Sequence, residues 1–370
     1  MPLLEDRHRQ LANRVAGATA HLEAEHDPRR VLAALAERGV LKACVPAAYG
    51  GLRDRIEVRD LVVTRMALAE RSSLADTMFA MQGLGSFPVL AGTEAQRRAL
   101  LPGAVDGSLV CAFAITEPEA GSDVASMRTT AERRGDGYVV RGEKHLISNA
   151  GLADRYVLFA RTSDDRKRGV SAFVVEADRP GLATEPMRVL GDHPIGRLRF
   201  DGLELPASAR IGEEGDGLAL ALRTLDFFRT TVGAAAVGMA QRALNEARAR
   251  VLSRHQFGKP LAEHQATQLA IADMVVDVNA ARLLCLEAAE YLDSDATAMP
   301  SVGKQKAAMA KLFATEAAQR CVDRAVQLWG GAGLVEGAVV ERLYREVRAL
   351  RIYEGTSEIQ RLVIARAELS

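Results

Sequence analysis

The chain has 370 residues, 48% of them hydrophobic and 26% charged, enough for two or three globular domains with ordinary cores. Its 48 Lys and Arg balance 48 Asp and Glu, so no chain-wide basic field exists to recruit nucleic acid or anionic lipid. Cys44, Cys111, Cys285 and Cys321 form no Cys-x-x-Cys pair and the seven histidines show no metal-ligand spacing, which argues against a disulfide framework or a metal site and for a reducing compartment.

No stretch approaches the roughly 20 apolar residues a membrane span needs. The segment Met1–Arg9 carries Glu5 and Asp6 and no apolar run, so it does not read as an export signal. A cytoplasmic protein that engages neither membrane nor nucleic acid is expected.

The period of the apolar residues divides the chain into three blocks. Residues 1–108 read as a helical domain, with Leu61, Val62, Met66 and Ala69 marking one helix face. Residues 109–211 read as a β domain. The run Leu109–Ile115 is short and apolar like a buried strand, and segments 137–141, 156–160, 171–175 and 197–200 are β-branched or aromatic between Gly, Pro and Asp. Their spacing predicts a small antiparallel barrel or sandwich, with Gly135-Asp136-Gly137 as a hairpin turn. Residues 212–370 return to helix over about 217–252, 261–294, 302–328 and 338–368, the pattern of a four-helix bundle. The expected fold is mostly α with a central β domain. Ala- and Gly-rich Gly233–Gly238 predicts close helix packing.

Two loops carry candidate chemistry. The strand to Ile115 breaks into Thr116-Glu117-Pro118-Glu119-Ala120-Gly121-Ser122-Asp123, which offers hydroxyls and free backbone N–H groups to a polar ligand, or else is a surface turn capped by its own Ser and Asp. Near the C-terminus, Ser357 with Gln360 reads as a capping box that starts a helix, leaving Glu354 in the preceding turn. A turn carboxylate can serve as a general base where geometry and desolvation favour it, and is otherwise solvated and idle. No Gly-x-Gly-x-x-Gly follows a strand and opens a helix, so a nicotinamide site is not expected.

Together these segments, in this order, resemble the acyl-CoA dehydrogenase family, and the resemblance covers nearly the whole chain. Pro46…Tyr49-Gly50-Gly51, Gly92–Gln96 with Leu101-Pro102, Arg254-His255-Gln256-Phe257-Gly258 with Gln265, and Gln327-Leu328-Trp329-Gly330-Gly331-Ala332-Gly333 match its ordered motifs. The resemblance implies a helical N-terminal domain, a small β barrel and a C-terminal bundle, FAD as cofactor, and a homotetramer. It implies α,β-dehydrogenation of an acyl-CoA thioester to the trans-2-enoyl-CoA, with Glu354 removing the α-proton and flavin N5 taking the β-hydride. An electron-transferring flavoprotein is the implied acceptor.

Carried over by motif, Phe113, Ile115, Thr116, Gly121 and Ser122 would form the loop around the isoalloxazine, with Leu146, Ile147 and Ser148 along the ring and Ser148 at N5. Arg254, Phe257 and Gln265 would reach the pyrophosphate and adenosine end across a subunit interface. Gln327, Gly330 and Gly331 would give a close backbone approach, and Thr356, Ser357 and Glu358 would complete the cofactor site. Ser122, Asp226, Arg229 and Gly355 fall at the thioester, with Arg229 a partner for CoA phosphates or carbonyls or else a helix-surface arginine.

The chain departs from the family at three places. Some members carry the base where Phe228 stands, and Phe228 cannot accept a proton. Leu146 replaces a usual tryptophan against the flavin. Glu346 replaces a usual aspartate in a stretch that reads as an ion-pair network. Leu146 keeps open an oxygen-using flavin oxidase or monooxygenase on the same fold, and a silent acyl-CoA-binding protein is the third reading. Gly83 and Gly85, beside the implied acyl pocket, predict room for a bulky or cyclic acyl group.

Overall fold

The structure is a computed structural model and describes residues 3–294 and 300–369. Five helices come first: α1 (Asp6–Ala18), α2 (Pro28–Glu37), α3 (Val58–Ala69), α4 (Ser73–Ser86) and α5 (Glu94–Asp106). Eight strands follow: β1 (Cys111–Ala114), β2 (Thr130–Arg134), β3 (Gly137–Ser148), β4 (Arg155–Arg161), β5 (Val170–Glu176), β6 (Leu182–Met187), β7 (Ile195–Pro206) and β8 (Arg210–Ile211). Then come α6 (Gly217–Ser253), the small ribbon β9 (His255–Gln256) and β10 (Lys259–Pro260), α7 (Gln265–Asp293), α8 (Pro300–Trp329), α9 (Val339–Val347) and α10 (Ser357–Leu369).

Local chemistry sets the helix ends. Asp27 accepts from Arg29 and Arg30 N–H groups with Pro28 in the first turn of α2. Thr93 and Gln96 form a reciprocal capping box that opens α5, and Gly107 closes it at φ 76°.

The strands form one sheet in the order β6-β7-β3-β2-β4-β5-β8, with β1 added on β4. The Gly135-Asp136 turn holds Arg134 opposite Gly137, as a two-residue hairpin requires. The sheet differs from the expected antiparallel barrel in two ways. Cys111–Ala114 pair with Arg155–Leu158 in parallel, as do Thr130 and Arg161, so the sheet is mixed. Its path also runs open from β6 to β8. Period-2 patterning identifies strands but not their partners, and β6, with four of its six residues exposed, carries no alternation at all.

One core joins α2, α4, α5 and the sheet; a second joins α3, α6, α7, α8 and α9. The alanine and glycine stretch works by close approach: a Cβ on Gly238 would stand 2.4 Å from the Met66 carbonyl of α3. The expected fourth bundle helix, 338–368, is broken. Residues 348–356 form a short 3₁₀ turn and a loop, with Glu354 at φ 51° and Gly355 at φ 92°, before α10 begins at Ser357. Two successive left-handed residues cannot continue a right-handed helix.

Candidate active site

The turn carrying Glu354 is built by its neighbours. Thr356, one residue before the expected cap, supplies the capping oxygen by accepting from Ile359 N–H at 3.3 Å. Ser357 instead donates to Glu316 at 2.6 Å. Gln360 folds back to donate to the Gly355 carbonyl at 2.8 Å, and Lys311 Nζ of α8 donates to the same oxygen at 2.7 Å. The backbone of Gly355 is thus held from two sides.

The Glu354 side chain faces a buried charge cluster. Arg65 of α3 is gripped by Asp76 of α4 at 2.8 and 2.6 Å and donates to Thr231 of α6 at 2.9 Å. Arg229 is buried and not the surface arginine that sequence allowed; Asp226 accepts from it at 2.7 Å, and Lys304 pairs with Asp226 at 3.3 Å. Burial raises the Glu354 carboxyl above the usual carboxylate range, against the opposing pull of Arg65, Lys311 and Arg229. Its Oε2 is buried with no hydrogen-bond partner, although the residue as a whole is half-buried. An acceptor left open among cations is poised to take a proton from a ligand.

A second group lies where β1 and β3 end. Lys144, fully buried, donates to the Ile115 carbonyl at 3.0 Å and to Glu117 at 2.8 Å. Glu117 also accepts from Arg128 and Thr129 N–H groups at 2.6 and 3.0 Å. Glu117 and Lys144 thus pin the loop that presents half-buried Thr116, while His145 N–H donates to the Thr116 carbonyl at 2.8 Å. Gly121 and Ser122 are exposed beyond that pin, and Ile115 and Ile147 are buried.

Leu146 is 46% exposed and sits at φ 54°, a left-handed conformation costly for a branched side chain, at the register break of β3 against β7. Half-buried Phe113 and Ser148 complete the surface. An exposed apolar side chain bordered by hydroxyls fits a flat ring system with a polar edge, which is how a flavin would be held.

Helix α4 links the two groups. Asp76 faces the Glu354 cluster, and Thr77 Oγ1 lies 3.4 Å from His193 Nδ1, whose Nε2 is 2.7 Å from Ser148 Oγ. Burial pushes His193 down to about 4, so the ring is neutral at neutral pH.

The remaining candidates form a third group on the surface. Arg254, Phe257 and Gln265 are exposed around the β9–β10 ribbon, Phe257 at 94% and φ 54°. Gln327, Gly330 and Gly331 are exposed at the end of α8, and a Cβ on either glycine would meet nothing within 4 Å. Arg250 stacks on Trp329 at 5.6 Å and ties the two patches together. Glu358 is exposed.

One expectation fails on packing. A Cβ at Gly83 would stand 2.5 Å from Phe228 Cε1, and one at Gly85 would stand 2.7 Å from Ala112 N. Both glycines serve close approach, so neither of them supplies open room for an acyl group. The stretch around Glu346 does carry ion pairs, Arg345–Glu341 and Arg342–Glu23; Glu346 itself makes no direct pair among the described residues, burial raises its carboxyl, Ser73 is its hydrogen-bond partner, and Arg342 and Arg345 face it.

Sequence reasoning missed Arg65, Asp76, Lys144, His193 and Lys311. A signal existed for Lys311: Ala307, Lys311, Ala314 and Ala318 recur at helical spacing, so the lysine lies on the buried stripe of α8.

Known proteins match this arrangement along the whole chain. Family models described as the acyl-CoA dehydrogenase N-terminal, middle and C-terminal domains match residues 3–108, 112–203 and 215–369. A cyclohexane-1-carbonyl-CoA dehydrogenase of Geobacter metallireducens is 35% identical over 361 residues, 95% of this chain and 93% of that one. The structure of butyryl-CoA dehydrogenase from Megasphaera elsdenii is 30% identical with a TM-score of 0.90, covering 99% of both chains. That of the prolyl acyl carrier protein oxidase AnaB is 28% identical with a TM-score of 0.88, covering 98% of this chain and 99% of that one. The chain belongs to the acyl-CoA dehydrogenase family. Its activity is FAD-dependent dehydrogenation of an acyl-CoA thioester.

Proposed function

We propose that Glu354 is the base that takes the α-proton of the acyl thioester, the product being the trans-2-enoyl-CoA. The observation that carries this is its buried, unpartnered Oε2, held in a left-handed turn beside three cations. Phe228, at the alternative base position, is buried and cannot accept a proton. The Glu354 backbone N–H is the chain's own donor to the thioester oxygen, where charge develops as the proton leaves. Asp226, Arg229, Gly355 and Ser122 border the thioester. Pinned in place by Asp226, Arg229 contributes charge to the base more than it contacts CoA phosphates.

FAD supplies the acceptor for the β-hydride. Phe113, Ile115, Thr116, Gly121 and Ser122 form its loop, with Leu146, Ile147 and Ser148 along the ring. Thr356, Ser357 and Glu358 stand at the start of α10. The exposed patch of Arg254, Phe257, Gln265, Gln327, Gly330 and Gly331 serves the adenosine and pyrophosphate end of a cofactor bound by a second copy of the chain. A homo-oligomer of the tetrameric type is supported by Leu269, Val276 and Leu283, exposed at seven-residue spacing along α7. The division at residues 108 and 211 marks three domains. Four free, buried cysteines support a cytoplasmic setting, with an electron-transferring flavoprotein as acceptor. The test is anaerobic titration of the FAD-loaded protein with straight, branched and cyclic acyl-CoAs. Bleaching of the flavin by at least one thioester is expected, and no bleaching by any refutes the reading.

A second reading, an oxidase that passes electrons to oxygen, is favoured by exposed Leu146 and by the likeness to the AnaB oxidase. Turnover rates with an artificial dye and with air decide between them. A dehydrogenase is slow in air, and Leu146→Trp changes transfer to the protein acceptor more than it changes anaerobic reduction. Peroxide formation in air as fast as dye reduction establishes the oxidase.

A further inference from the structure

Lys311 is fully buried, yet no carboxylate pairs with it among the described residues. Its hydrogen bond goes to the carbonyl of Gly355, the residue after Glu354. A buried ammonium costs several kcal/mol unless it is matched by charge or hydrogen bonds, so its position calls for an account beyond packing.

The account lies in the turn. Glu354 and Gly355 both occupy the left-handed region, and such a pair persists only where the surroundings over-determine it. Gln360 alone, reaching back from α10, would tie the turn only to its own following helix. Lys311 ties it to α8, which packs on α6 and α7, and so places Glu354 relative to the rest of the protein.

We propose that Lys311 is a positioning residue for the base: its ammonium fixes the Gly355 carbonyl, and through it the Glu354 carboxylate, which its charge also faces. This rests on reading Glu354 as the base. The charged groups around that carboxylate are Arg65 from α3, Asp76 from α4, Arg229 from α6 and Lys311 from α8, with the Tyr353 hydroxyl alongside. Lys311 is itself faced by Glu354, Arg229, Glu316 and Glu358. Arg65 and Arg229 are each held by an aspartate in a direct ion pair, at 2.6 and 2.7 Å, whereas Lys311 makes no such pair among the described residues and is offset only by the more distant carboxylates of Glu354, Glu316 and Glu358. Burial brings Lys311 down to about 8, so it is charged at neutral pH and loses its charge just above.

The experiment uses FAD-loaded full-length protein and Lys311→Met, which keeps the shape but removes donor and charge, with Lys311→Arg, which keeps both. The probe is whichever of butyryl-, isobutyryl- and cyclohexane-1-carbonyl-CoA bleaches the parent flavin fastest in anaerobic stopped flow between pH 5 and 9. Lys311→Met should slow bleaching between about 10- and 100-fold, the range a displaced catalytic group costs. Loss of a cation that favours the carboxylate should also move the acid limb of the rate upward by about one pH unit. Amide exchange over residues 352–358 should quicken in the same variant while α8 stays protected. Lys311→Arg should return the acid limb toward the parent's position.

A parental rate and acid limb in Lys311→Met overturn the proposal. So does a slower rate with an unmoved limb and unchanged exchange, which would mark a structural lysine only. Glu354→Gln is run alongside. If it bleaches at the parental rate, the base assignment itself has failed; if it is inactive while Lys311→Met behaves as parent, the Lys311 proposal alone falls.

Discussion

Gly83 of α4 and Phe228 of α6 are complementary: the missing side chain of one holds the ring of the other, which a Cβ would approach to 2.5 Å. Phe228 is buried in an aromatic cluster, edge-on to Phe87 at 5.7 Å and beside Phe227 at 5.5 Å. It immediately precedes Arg229, which faces Glu354, so this packing sets the wall behind the base.

Gly83→Ala should therefore destabilise by about 1–3 kcal/mol through overpacking. Phe228→Ala should cost about 3–5 kcal/mol through the cavity it leaves. Combining Gly83→Ala with Phe228→Ala should cost less than the sum of the two single changes, because the pair shares one space. Thermal unfolding of the four proteins checks this, and strict additivity would show that the two residues are energetically independent.

Glu354→Gln should retain FAD and the parental melting temperature while flavin reduction by acyl-CoA falls on the order of 10²–10⁴-fold. Burial raises the Glu354 carboxyl, and a base must be ionised to act. The parental rate should therefore rise with pH through a limb above the ordinary carboxylate value, and then level. Stopped-flow reduction across pH reads both effects.

The Glu117–Lys144 pair should make cofactor retention acid-sensitive. Lys144 and the Arg128 and Thr129 N–H groups hold Glu117 below its usual value, against burial. Its contribution is therefore complete above about pH 4.5, the ordinary carboxylate value, and is lost as pH falls through the lower folded value. Lys144→Met, which leaves Glu117 buried without its cation, should cost about 3–5 kcal/mol and release FAD more readily. Flavin fluorescence during acid titration and melting follows both, and full retention in the variant would show that the loop does not need this pair.

Val276→Asp should dissociate the oligomer. Val276 is 68% exposed midway along the apolar row of α7, between Leu269 and Leu283 one heptad away on either side. A charge there must be desolvated for two such faces to meet. Light scattering on eluting protein should show a smaller species, and an unchanged mass would place the contact elsewhere.

Much of this protein is readable along the chain. A short apolar run with Val and Phe marks Val170–Glu176, a two-residue glycine turn marks the β2–β3 hairpin, and Ala-Gly runs mark close helix contacts, because each depends on neighbours a few residues apart. Glu354 too was legible as a turn carboxylate, since the cap at the start of α10 lies next to it; only the identity of the capping residue differed. The tertiary structure alone decided what surrounds that carboxylate. Arg65, Asp76, Arg229 and Lys311 come from four helices spread over more than 240 positions, and no local pattern relates them. It alone decided as well that Gly83 holds a ring instead of leaving a space, and that β1 runs parallel to β4. Periodicity reports which face of an element is buried; which element it is buried against, and so which charges share one cavity, follows only from packing.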